Sequence, residues 1–200
     1  MKSQLQRINN YISKKSTLEL LQEYIPSTEE IQFKNDMLEF LKTSNAYERS
    51  NTDGHFTGSA FISTLDGTRA LITHHKKLKM KLQLGGHADG DTDILRVAIK
   101  ESLEESGISS ISFIPKIFDI DIHTIPQYKD VKEHKHYDIR FLVIVDNDSE
   151  FKISDESDNL EWIDKNYNCD NSTFGFQRLF NKWRSLDFSS NEFQSQIETF

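Results

Sequence analysis

Glu101, Glu104 and Glu105 are the residues of this chain best spaced to do chemistry together. Helical side chains three and four apart share a face, so this spacing gathers three carboxylates into one patch. Such a patch repels itself unless a cation sits on it. Hard, oxygen-seeking Mg²⁺ or Mn²⁺ is the natural occupant. A solvated acidic helix face is the ordinary alternative, and the flanking residues weigh against it. Gly85, Gly86 and Gly90 precede the carboxylates. Asp91, Thr92 and Asp93 then offer N-cap side chains and negative charge where a helix dipole favours it. Ile94, Leu95, Val97, Ala98 and Leu103 supply an apolar side, and Gly107 is placed as a C-cap. The stretch reads as a glycine loop opening into a helix.

A second constellation lies at residues 134–140. In a strand, His134, His136, Asp138 and Arg140 point to one face, with Tyr137, Ile139 and Phe141 on the other. Such a face is either a wet outer surface of the sheet or a ligand surface. In the second reading Arg140 meets a phosphate with its fixed fork of donors. Asp138 orients it or a histidine, and His134 and His136 assist phosphate binding or proton transfer. His87, beside the glycines, joins this substrate-binding set. His87, His123, His134 and His136 together would make an imidazole-rich transition-metal site if the fold brought them close. Lys76, Lys77, Lys79 and Lys81 form a basic cluster before the glycines. They are either a solvated hairpin turn whose charges block edge pairing or, through Lys77, a phosphate contact at the mouth of the site.

These groups need elements to hold them. Residues 4–43 carry apolar side chains at helical spacing, with a turn and helix start at Pro26-Ser27-Thr28-Glu29-Glu30. From residue 56 the rhythm becomes that of strands. Phe56–Thr64 and Arg69–His75 flank the hairpin signal Leu65-Asp66-Gly67-Thr68. Lys81–Leu84, Ile111–Ile114, Lys116–His123, Tyr137–Val145 and Leu160–Ile163 read as further strands, and Phe174–Leu186 as a closing helix. The expected fold is α/β (α+β): an α/β/α sandwich around a mixed sheet, with an N-terminal helical extension. Three parts are expected: a helical extension at 1–44 that packs on the core or a partner, a catalytic domain at 45–190, and a loosely held tail at 191–200. A homodimer contact is the second outlet for the extension's apolar side.

Composition narrows the function. The chain has 200 residues, a net charge of −8 and fourteen Phe to fill a core. The acidic balance argues against a nucleic-acid partner but not against a small anionic substrate. A single cysteine, Cys169, excludes an internal disulfide. No apolar run approaches membrane-spanning length, and no secretory apolar core follows Met1, so a cytoplasmic protein without a membrane partner is expected.

Residues 86–108 resemble the Nudix box. Gly86, Glu101, Glu104, Glu105, Gly107 and Ile108 fall on its pattern, while Thr92, Lys100 and Ser102 stand where it has a glutamate, an arginine and an aliphatic residue. The resemblance extends to Phe56–Phe61, His74–Leu78, Leu82–His87 and His134–Arg140, and covers roughly residues 45–185. It implies the Nudix α/β/α sandwich and a metal-dependent pyrophosphohydrolase. In that reading Mg²⁺ or Mn²⁺ is held by Glu101, Glu104, Glu105 and the Gly86 carbonyl, with Glu104 or Glu105 taking a proton from the attacking water. Glu156, on an acidic loop before Trp162, is the expected further carboxylate unless that loop is simply a surface feature; Glu161 is a poorer second choice. Asp93, Arg96 and Lys100 are expected to replace the altered supporting pair with a ladder along the helix. The substrate would be a small phosphorylated molecule, a nucleoside diphosphate linked to another group. The alternative is a nucleotide- or metal-binding sensor on the same fold without turnover.

Overall fold

Alternating strand residues give this chain a mixed sheet with two buried faces. The structure is a computed structural model that describes residues 2–76, 80–153 and 157–199. Strand β1 (Gly54–Thr64) lies at the centre. It pairs in parallel with β6 (His134–Val145) along its whole length, from Gly54 opposite Lys135 to Thr64 opposite Val145. Its other edge is shared. The near end pairs antiparallel with β4 (Leu84–His87), and the far end with β2 (Arg69–His75). Strand β2 then leaves β1 to pair with β3 (Met80–Leu82) and β7 (Ser157–Asp164). On the opposite side, β6 pairs antiparallel with β5 (Ser112–Ile125), which carries the two-residue β8 (Glu198–Thr199) at its edge.

Helices cover both faces. One face of β1 and β6, with Phe56, Ala60, Ile62, Ile139, Phe141 and Val143, packs on α4 (Ile94–Ser106) and the N-terminal helices. The approach is close: a Cβ on Gly58 would lie 2.8 Å from the Ile94 carbonyl oxygen and 3.0 Å from the Ala98 nitrogen. The other face, with Phe61, Leu142 and Ile144, packs on Phe176, Leu179, Phe180 and Trp183 of α5 (Phe174–Ser185). The Trp183 indole N–H donates to Ser63 Oγ at 2.9 Å, so this large side chain is buried without an orphaned donor. The result is the expected α/β/α sandwich.

Two expectations change, and of the two outlets open to the N-terminal extension the core is the one seen. Residues 112–125 form one strand rather than two, and the ladder shifts register between Phe113 and Ile117, around Pro115. Proline has no N–H to give a ladder, so the strand bulges there and continues. The tail is folded as well. Ser190 caps the short α6 (Asn191–Gln194), Phe193 is buried, and β8 closes onto β5. The N-terminal extension is integral to the core. Its helices are α1 (Lys2–Asn9), α2 (Thr17–Glu23) and α3 (Ile31–Phe40). They place Ile8, Leu20, Leu21 and Met37 in the same core as α4, while Ile12, Leu18, Ile25 and Ile31 stay exposed. Ser16 and Glu19 close a capping box at the start of α2. No helix among the described residues is long and apolar enough to cross a membrane.

Candidate functional site

Helix α4 starts and ends as its sequence demands. Asp93 is the N-cap, its side chain accepting from the Arg96 N–H at 3.1 Å, and Gly107 closes the helix with a left-handed φ of 64°. The turn before it needs Gly90, whose φ is 86°. Gly85 and Gly86 are not part of a loop; they lie in β4, opposite Ser59 and Gly58.

Those glycines matter through what approaches them. A Cβ on Gly86 would fall 2.4 Å from Glu101 Cδ, so the bare backbone is what lets this carboxylate lie against the strand. The Gly85 N–H donates to Glu105 Oε2 at 3.2 Å. Glu105 is buried, Glu101 half-buried and Glu104 exposed, with the Lys100 ammonium 3.9 Å from Glu104. Two carboxylates of α4 thus reach back to the β4 backbone while the third faces solvent. The donor set is all oxygen, next to a backbone with no side chain in the way, which suits Mg²⁺ or Mn²⁺.

The support of the helix differs from the ladder expected. Lys100 pairs with Glu104, not with Asp93. The Asp93–Arg96 rung is present at 3.9 Å, and Asp93 also accepts from the N–H and hydroxyl of Ser13. Arg96 takes Asp91 in a two-pronged contact of 2.8 and 2.6 Å and donates to the Tyr11 carbonyl at 2.8 Å. Thr92, in place of the glutamate, offers its carbonyl to Thr17 Oγ1 at 2.8 Å. The N-terminal segment therefore supplies the bracing that the altered residues lack. Ser102, fully buried, donates to the Ile99 carbonyl at 2.7 Å.

Arg140 is not open to a phosphate. It is 3% exposed, and its guanidinium donates to Asp138 at 2.7 Å, Asp119 at 2.9 Å, Asp121 at 3.1 Å and the Gly175 carbonyl at 3.0 Å. Asp138 is equally committed: Thr57, Ser59 and Gln83 also donate to it. Arg178, Lys182 and the fully buried Glu30 extend the network to α5 and the N-terminal extension. Burial acts to raise the Glu30 pKa, but hydrogen bonds from Lys182, Tyr24 and Ser27 outweigh it and hold the pKa at about 2. Burial likewise opposes ionisation of Asp121, and Arg140 overrides it, so Asp121 lies well below the usual carboxylate range.

The histidines do converge. Strand register sets His55 opposite His136 and His123 opposite His136, while His87 lies opposite Thr57 on β4. Ring centroids are 4.9 Å apart for His55–His136 and for His87–His136, and 5.0 Å for His55–His134. Among the described residues the triad His55, His87 and His136 brings one nitrogen from each ring within 4.8 Å of the others, closer than the three glutamates of α4 gather their oxygens. Burial, Arg49 and neighbouring imidazoles push His87 down to about 4. Burial and four imidazoles push His136 down to about 2. His55 is lowered chiefly by burial, opposed by the Asn51 backbone. These rings are therefore neutral at pH 7. Because β4 alternates, His87 faces this cluster and Gly86 faces α4.

Lys77 and Glu156 lie outside the described residues. Glu161 is held by Lys81 at 2.7 Å and His74 at 2.8 Å. Sequence reasoning missed His55, Asp119 and Asp121, and it did not foresee that Asp91 would pair with Arg96. A signal for His55 existed, since it alternates with Thr57 and Ser59 on β1. What was not legible is that β6 pairs with β1 in parallel.

No family profile and no curated protein matches the chain. Its fold is similar to solved Nudix hydrolases. One is a NUDIX-family hydrolase from Clostridium perfringens, 22% identical over 66% of this chain and 98% of that one, with a TM-score of 0.45. Another is an Ap4A hydrolase from C. elegans, 19% identical over 64% and 93%, with a TM-score of 0.46. A third is a MutT protein from Methanosarcina mazei, 18% identical over 66% and 94%, with a TM-score of 0.48.

Proposed function

We propose that this protein is a Nudix-type hydrolase that cleaves the diphosphate linkage of a nucleoside diphosphate joined to another group. The reading rests on one observation: the α4 carboxylates reach the glycine backbone of β4, with Glu105 on the Gly85 N–H and Glu101 against Gly86. In this reading Glu101, Glu104, Glu105 and the Gly86 carbonyl hold Mg²⁺ or Mn²⁺. The cation, when bound, neutralises charge developing on the diphosphate and acidifies water. Glu105, buried and fixed through the strand, holds its position. Glu104 is exposed and takes the proton of the attacking water. Arg96, Asp91 and Tyr11 keep the start of the helix in place.

The test is a Mg²⁺- and Mn²⁺-dependent screen over nucleoside triphosphates, sugar nucleotides, CDP-alcohols, ADP-ribose and dinucleoside polyphosphates. Turnover of one class is expected. Glu104→Gln should lower it at least about 100-fold, the low end for losing a general base, and Glu105→Gln should lower it comparably with little loss of folding. Full activity in the double variant would overturn the assignment. Tight binding without turnover would instead favour the sensor.

A further inference from the structure

We propose that His55, His87 and His136 form a second metal site, separate from the α4 carboxylates and suited to a divalent transition metal of the Zn²⁺ kind. One nitrogen from each ring already lies within 4.8 Å of the other two. Tetrahedral ligation at roughly 2.0–2.1 Å puts nitrogens about 3.4 Å apart, a spacing that small ring rotations can reach from this starting arrangement. All three sit on paired strands, which fixes their spacing more firmly than a loop would.

Hydrogen-bond accounting points to a ligand. His136 Nε2 is buried and without a hydrogen-bond partner; His55 is 3% exposed, and its ring nitrogens make no well-formed hydrogen bond, only a looser contact with the Asn51 backbone. Buried polar atoms left in this state are costly, and native structures rarely keep them. A cation bound at one ring nitrogen of each histidine would use its lone pair, leaving the other nitrogen of His55 as an N–H facing the Asn51 backbone. A donor set made wholly of imidazole selects Zn²⁺, Cu²⁺ or Ni²⁺ over Mg²⁺, which prefers oxygen.

Two more rings stand beside the triad. His123 Nδ1 lies 3.1 Å from Asp121, a carboxylate itself held by Arg140, and its ring centroid is 5.4 Å from that of His136. His134 Nδ1 lies 2.8 Å from the Lys132 carbonyl, with its ring 5.2 Å from His136. A partner at Nδ1 orients the ring and leaves Nε2 for a metal, the usual outer-shell arrangement of metal-binding histidines. Both rings stand farther out than the triad, so the fourth ligand is one of them after a ring movement, or a water.

The experiment uses the full chain. Chelator-treated protein is titrated with Zn²⁺ and with Co²⁺ in excess Mg²⁺. One Zn²⁺ per chain should be retained, and Co²⁺ should give the intense visible bands of a tetrahedral site. His55→Ala, His87→Ala and His136→Ala should each weaken Zn²⁺ binding by at least about 100-fold, more than losing an outer-shell partner costs. The Glu104→Gln/Glu105→Gln variant should bind Zn²⁺ as the wild type does. Zinc-edge X-ray absorption on the wild-type complex needs no variant, and scattering from three or four imidazoles is expected. No retained Zn²⁺, a shell of oxygens alone, or binding lost with the glutamates and not the histidines would each overturn the proposal.

Discussion

Arg140 and His136 stand on the same face of β6, two rungs apart, yet their surroundings differ in kind. Around Arg140 the charged groups are matched: Asp119, Asp121 and Asp138 each accept from it, and Arg178 and Lys182 share Asp119 and hold Glu30 as well. Around His136 the neighbours are other imidazoles; His136 Nε2 is left without a partner, and His55 has only a loose contact with the Asn51 backbone. Both ends looked alike in sequence, as polar residues alternating along a strand. What separates them is partner supply. A polar group whose donors are all used holds the fold together. A buried one with lone pairs unused is prepared for a ligand.

The largest effect should come from breaking the matched end. Arg140→Met removes one cation from three buried carboxylates, and deleting one partner of a buried pair costs about 3–5 kcal/mol. For a chain of this size that lowers the melting temperature by about 6–20 °C, at about 2–4 °C per kcal/mol. Calorimetry checks this. The opposite result would be an Arg140→Lys variant with unchanged melting and a tenfold higher KM. That would return Arg140 to substrate binding and erase the contrast.

Acid should act on the same end. Glu30 has a folded pKa of about 2 against an ordinary 4.5. A depressed carboxylate contributes stability that is fully present above 4.5 and is lost as pH falls toward 2. The contribution at neutral pH is about 3 kcal/mol, at about 1.4 kcal/mol per pH unit. Acid unfolding followed by circular dichroism should therefore steepen below about pH 4.5 in the wild type. Glu30→Gln should be less stable at pH 7 and show a flatter acid limb. An acid limb equally steep in Glu30→Gln would show that the network carries its proton linkage elsewhere.

Local elements were legible and long-range pairings were not. The hairpin at Leu65–Thr68, the α4 caps at Asp93 and Gly107 and the face shared by His136, Asp138 and Arg140 all follow from residue type and period. These depend on neighbours within a turn or a strand. Whether Arg140 is open or sealed depends on Asp119 and Asp121, brought beside it by the β5–β6 register, and on Gly175 at the start of α5. His55 joins the cluster only because β1 and β6 run parallel in register. Periodicity carries no information about which strand lies next to which. The same gap hid Tyr11 and Ser13, which reach α4 across some eighty residues of chain.

Arg96 is a middle case between matched and unmatched ends, because its side chain is 24% exposed and its partner Asp91 29% exposed. Solvent weakens the pair, so Arg96→Ala should cost about 1 kcal/mol, near the net worth of a hydrogen bond. The sharper readout is local. Amide hydrogen exchange at residues 10–16 should rise while the sheet is unchanged, because the Tyr11 carbonyl loses its donor. Activity should fall modestly, through the helix start rather than through the carboxylates. Exchange that rises uniformly would mean the N-terminal segment is held by its core side chains and not by Arg96.

Ser102 should show the smallest effect, and for an instructive reason. Its hydroxyl is fully buried, as unusual a place for a polar group as the histidine cluster, yet it donates to the Ile99 carbonyl one turn back. That carbonyl is already inside a helix, so Ser102→Ala removes the hydroxyl with its hydrogen bond and leaves no strongly orphaned group. The change should be under about 1 kcal/mol in thermal unfolding. Ser102→Leu would restore the aliphatic side chain of the Nudix pattern and should do worse, by about 1–3 kcal/mol, because no space waits for it. If leucine instead stabilised the chain, the site would be under-packed, and the serine would need an explanation beyond its bond to Ile99.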